Sequence, residues 1–93
     1  MKIFAVLLTM KDEEKSQKYR SQHLKFLEDE ELNGNVLAYG RFVDGAGGLI
    51  MYRGEEEEAV REIVEQDPYI QLGARDYHMH EWDMKSHVWT KGE

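Results

Sequence analysis

Apolar and polar residues alternate with two different periods along this chain, and the switches between them mark out six elements. Ile3 to Thr9 is apolar almost throughout, without strict alternation, as a central strand covered on both faces would be. Asp12 to Glu31 is charged, with apolar residues at Tyr19, Leu24, Phe26 and Leu27 and a further one at Leu32. This predicts one helix. Asp12 is placed to cap it, Glu13 and Glu14 suit the positive end of its dipole, and Asn33-Gly34-Asn35 ends it. Val36 to Val43 and Leu49 to Arg53 are rich in strand formers and flank Asp44-Gly45-Ala46-Gly47-Gly48, so they read as a hairpin. Ala59, Val60, Ile63 and Val64 form a helical stripe within Glu55 to Glu65. Asp67-Pro68 breaks that helix, because a residue before proline is pushed out of the α region. Ile70 to Gly73 reads as an irregular turn. Arg75 to Asp83 alternates as a last strand, with Tyr77, Met79 and Glu81 on one face and His78, His80 and Trp82 on the other. Met84 to Glu93 shows no period and is read as a tail following a single domain over residues 1–83.

The order β-α-β-β-α-β is the ferredoxin-like split arrangement: an α+β domain whose antiparallel sheet carries both helices on one face. No element remains for the opposite face. Yet Leu37, Tyr39 and Val43 fall on one side of the second strand, and Ala38 and Phe42 on the other, so both faces carry apolar groups. An uncovered apolar face marks an interaction surface, and the expectation is a homodimer with sheets packed face to face.

Composition narrows the function classes. The 93 residues suffice for one small core, and a partner would help such a chain bury surface. Acids outnumber Lys plus Arg by 19 to 12, the net charge is −7, and the cations are scattered. This argues against nucleic-acid binding. The apolar start is too short for a membrane span and lacks a cleavage site, so no membrane partner is expected. There is no cysteine, which removes disulfides, thiolate metal sites and thiol nucleophiles and is compatible with a cytoplasmic location.

Two polar positions stand out. Tyr19, His23, Phe26 and Glu30 share one helical stripe, which puts His23 at or beside the buried face. Asp67 sits where the chain leaves the second helix. A buried histidine bonded to backbone, and a helix-ending carboxylate capping nearby amides, explain the two separately. If they converge, the aspartate orients one ring nitrogen and the other serves as a base near neutral pH. His78 and His80 share a strand face, a spacing that can hold a transition metal, but Glu81 points the other way and no third ligand is evident. No metal is expected. The Glu55 to Glu58 run reads as a solvated helix start.

Several segments in order resemble the YciI-like family of the dimeric α+β barrel superfamily. They are Phe4-Ala5-Val6-Leu7-Leu8, Arg20-Ser21-Gln22-His23-Leu24, Leu37-Ala38-Tyr39-Gly40, Gly47-Gly48-Leu49-Ile50 and Asp67-Pro68-Tyr69. The resemblance implies a pocket centred on a His–Asp pair, which maps onto His23 and Asp67. Many relatives have proline after the glycine of the second strand. Here Arg41 follows Gly40, which makes the pocket rim more cationic. Tyr39, Gly40, Arg41 and Tyr69 are the candidate substrate-binding residues. The function implied is cofactor-independent acid/base chemistry on a small cyclic or aromatic compound, of lyase, isomerase or dehydrohalogenase type. The alternatives are a module that binds or senses a small molecule without turnover, an interaction protein using the open sheet face, and cofactor-free oxygenation involving Trp82 or Trp89.

Overall fold

The computed structural model describes residues 1–89. Its elements are β1 (Lys2–Met10), α1 (Glu13–Lys18), α2 (Arg20–Leu32), β2 (Val36–Arg41), β3 (Gly48–Gly54), α3 (Glu57–Val64), α4 (Pro68–Gln71) and β4 (Arg75–Trp82). The sheet order is β2-β3-β1-β4, and all three pairings are antiparallel. This is a ferredoxin-like α+β sheet. The apolar run of β1 is explained by its central place between β3 and β4. Phe4, Val6 and Leu8 meet Ile50 and Tyr52 of β3, Leu27 of α2, and Val60 and Val64 of α3 in one buried core. Both long helices therefore cover the same sheet face.

The first helical segment is two helices rather than one. Asp12 accepts a hydrogen bond from the Lys15 N–H at 3.0 Å and caps α1, as its residue type suggests. Tyr19, at φ −103° and ψ 11°, then ends α1 and starts α2. The helical spacing survives this break, so the polarity pattern shows no sign of it. At the far end the Asn35 N–H donates to the Glu30 carbonyl and the Gly34 N–H to the Glu31 carbonyl. With Gly34 at φ +84°, this is a Schellman closure.

Three further expectations are corrected. Only the end of the Ile70 to Gly73 segment is a turn, because Ile70 and Gln71 are helical. Pro68 starts the short helix α4, for which its fixed φ suits the first position, and Asp67 is the cap. The helix expected over Glu55 to Glu65 is shorter, Glu57 to Val64, with Glu56 extended at φ −134°. In β2 a register shift lies between Val36 and Ala38, so Val36 and Tyr39 pair with Tyr52 and Ile50 on the core side, while Ala38 faces away with Met51. A bulge breaks the period of two. Strict alternation therefore misplaces the residues before it, and Val43 lies beyond the strand, exposed.

The sheet face away from the helices is not bare. Ile3 and Met51 point to it, yet they are only 2% and 4% exposed. The chain after β4 turns back: Met84 is buried, and the Trp89 ring meets Trp82 edge to face with centroids 6.2 Å apart. Trp82 and Trp89 line a shallow depression of about 330 Å³ together with Ala38, Phe42, Leu49 and Met51. The tail thus supplies cover from its own chain. The part of the predicted tail over residues 90–93 lies outside the described residues.

Candidate active site

Helix α2 brings His23 to the end of the sheet near the β2–β3 connection, and the cap of α4 brings Asp67 behind it. The two are 44 positions apart in sequence, and the His23 Nδ1 lies 2.8 and 2.9 Å from the two carboxylate oxygens. A carboxylate can only accept, so Nδ1 carries the hydrogen and Nε2 of the neutral ring carries the lone pair. Nε2 has no protein partner among the described residues. Asp67 is wholly buried and His23 is 7% exposed.

Local structure explains the aim of the carboxylate. Pro68 holds Asp67 in the extended region, at φ −61° and ψ 126°, and its side chain folds back to accept the Tyr69 N–H at 2.9 Å. Capping and histidine binding are therefore joint tasks of one side chain. Of the two separate explanations, the capping role of Asp67 holds, whereas His23 bonds to Asp67 rather than to backbone.

Tyr69 completes the arrangement. Its ring stacks on the imidazole at 3.9 Å and 8°, and its hydroxyl donates to the Ser16 carbonyl at 2.9 Å. Burial pushes the Tyr69 phenol above its ordinary value, against the opposing charges of Arg75 and Arg20, so it stays a hydroxyl at neutral pH. The imidazole is thereby held by a hydrogen bond along one edge and by a ring across one face.

His23, Tyr39, Gly40, Arg41 and Tyr69 all line one cavity of about 350 Å³; Asp67 stands behind His23 and does not line it. Gly47 closes this cavity against β1. Its φ is +130°, and a Cβ there would lie 2.1 Å from the Leu8 carbonyl oxygen, so no other residue fits without moving the strand. Arg20, Arg75, Glu13 and Ser16 also line the cavity and escape the sequence reading. A signal for two of them exists: Ser16, Arg20, His23 and Leu27 are spaced four, three and four, the stripe that faces the sheet. Nothing in the sequence around Arg75 marks it. His78 and His80 are exposed on the opposite sheet face, and no group of three or more metal-ligating side chains occurs among the described residues. Trp82 and Trp89 line the other depression rather than this cavity.

Residues 1–83 match the YCII-related domain. The chain belongs to that family. No curated protein matches it. Among solved structures it is similar to 5-chloro-2-hydroxyhydroquinone dehydrochlorinase from Burkholderia phenoliruptrix AC1100 in complex with 2,5-dihydroxybenzoquinone. The TM-score is 0.72 and the identity 20%, over 91% of this chain and 97% of that one. At that identity the likeness establishes a shared fold. No helix among the described residues of this YCII-related domain is long and apolar enough to cross a membrane.

Proposed function

We infer that this YCII-related domain is a small acid/base enzyme of the lyase or isomerase type, acting on a small cyclic or aromatic compound. The observation that carries this reading is the buried His23–Asp67 pair with an unpartnered Nε2 at a cavity wall. Nε2 takes a proton from a substrate C–H or O–H beside a carbonyl. The released electron pair moves into the ring and onto the oxygen. Expulsion of a leaving group with its bonding pair completes an elimination, and return of the proton from the imidazolium to another carbon completes an isomerisation. Asp67 keeps the ring oriented and stabilises the charge it acquires. Neither route needs an electron acceptor or an external cofactor. The dehydrochlorinase that shares the fold performs an elimination on a hydroxylated ring, which supports the substrate class.

The test is turnover of hydroxylated aromatics, lactones and small keto acids. It is expected to vanish in His23→Ala and to fall sharply in Asp67→Asn. Tight binding of a panel member with no product, in wild type as in His23→Ala, would instead make the domain a binding module.

The sheet face away from the helices, which the tail covers only in part, supports a homodimer as part of the same reading. The rows Gly40–Leu49–Leu7 and Ala38–Met51–Ala5 run across it, and Trp82 and Trp89 remain partly exposed beside them. Sedimentation at micromolar concentration is expected to show a dimer; a stable monomer refutes this part alone.

A further inference from the structure

The cavity's charge is opposite to that of the chain. The protein carries −7 overall, but Arg20, Arg41 and Arg75 all line the His23 cavity, with Glu13 as its one carboxylate among the described residues. The side chains of Arg20 and Arg41 make no ion pair or hydrogen bond among the described residues, although 19 acidic side chains are available in the chain. Arg75 is differently placed. Its Nε donates to the Ser16 hydroxyl at 3.0 Å, and its guanidinium lies 5.2 Å from the Tyr69 ring centroid. Ser16 is itself fixed, with its hydroxyl 2.9 Å from the Asp12 carbonyl and 3.2 Å from that of Ala74. Arg75 is therefore a positioned cation beside the ring that covers His23. Arg20 is near enough for its charge to act on the same phenol.

We propose that Arg20, Arg41 and Arg75 form an oxyanion-binding mouth that selects a small ring-conjugated anion and turns it toward His23. The argument is one of size and charge. A cavity of about 350 Å³ is near the lower end of organic-ligand pockets, about 300–1,000 Å³. Leu8, Leu24, Leu27, Tyr39 and Ile50 give it apolar walls for a ring. Guanidinium groups supply paired donors that match a carboxylate or a delocalised ring oxygen. Against a net negative protein they also steer an anion toward this cavity. The inference rests on the acid/base reading for the role of His23, but binding of the anion does not depend on it.

The test is calorimetric titration of the purified chain with benzoate, its neutral isostere benzamide, and 4-nitrophenol at pH values either side of its ionisation. Benzoate or 4-nitrophenolate is expected to bind at least tenfold more tightly than its neutral counterpart, and more weakly as salt is raised. The preferred anion distinguishes a carboxylate ligand from a ring oxyanion. Arg75→Gln is expected to weaken it about tenfold, and exposed Arg20→Gln and Arg41→Gln a few-fold each. Glu13→Gln acts with the opposite sign and tightens it. Binding is read without turnover, so a failed titration and a failed turnover assay remain separate results. Circular dichroism checks each variant's fold, and if Arg75→Gln does not fold, Arg41→Gln and Glu13→Gln decide by their opposite signs. No anion binding, equal affinity for benzoate and benzamide, or indifference to those two substitutions would overturn the proposal.

Discussion

Replacing Asp67 by asparagine isolates the tautomer from the rest of what Asp67 does. Asparagine caps a helix as well as aspartate, so its oxygen keeps the Tyr69 N–H now held at 2.9 Å. That oxygen, Oδ1, also lies 2.8 Å from His23 Nδ1, while the amide N–H₂ takes the place of Oδ2, 2.9 Å from the same nitrogen. The Nδ1–H then shares its one acceptor with the Tyr69 N–H and has a second donor set against it, and both groups are buried. The ring is therefore expected to move its hydrogen to Nε2, so that Nδ1 accepts from the amide. The free nitrogen is then a donor and no longer a base. Exchanging a charge-assisted bond for a neutral one costs about 1–2 kcal/mol. For a chain of 93 residues that lowers Tm by roughly 4–8 °C per kcal/mol. Asp67→Ala loses the cap as well, about 1 kcal/mol, and leaves a buried donor unpaired. A total near 3–4 kcal/mol is a large share of an ordinary domain stability of about 5–15 kcal/mol. The assay is long-range ¹H–¹⁵N correlation of the His23 ring at a pH where it is neutral, beside thermal unfolding of both variants. With a turned-over substrate in hand, the asparagine variant is expected to lose about 10³–10⁴ in rate. An asparagine variant that keeps the Nδ1–H tautomer would refute the reasoning.

Two other predictions concern the frame of the site. Tyr52 is 0% exposed, and its hydroxyl has no hydrogen-bond partner among the described residues, so Tyr52→Phe is expected to stabilise the protein by about 1 kcal/mol in a neutral-pH melt. Burial, with the charges of Asp67 and Glu30 adding to it, also pushes the Tyr52 phenol well above its ordinary value. The folded state then holds a proton that the unfolded chain releases above about pH 10, so stability falls as pH rises past that point, and the fall is smaller in Tyr52→Phe. An identical alkaline limb in both proteins would contradict this. Gly47→Ala puts a Cβ 2.1 Å from the Leu8 carbonyl oxygen at φ +130°, and a loss of at least about 2 kcal/mol by denaturant titration is expected; near-wild-type stability would contradict the role of Gly47 at the cavity edge.

The order of elements, the central place of β1, the cap at Asp12 and the break at Asp67-Pro68 were legible in the chain itself, because each depends on residues within one or two turns of each other. His23 could be placed on the inward stripe of its helix for the same reason, since 3.6 residues per turn decide which face a side chain occupies. Local pattern carries no record of a bulge that shifts side chains by one position, and so Val36 and Tyr39 share the core side against the expected alternation. Nor does it show that Tyr19 divides the helical segment, or that Trp89 returns to the open face. The bond between His23 and Asp67 spans 44 positions, and Arg75 reaches the hydroxyl of Ser16 across 59. Such meetings exist only once β4 has paired with β1 and α4 has docked beside α2. The sequence by itself thus determined which residues face inward and where the chain turns. Tertiary structure alone decided which inward residues meet, because sheet pairing and helix docking join groups that no local period connects.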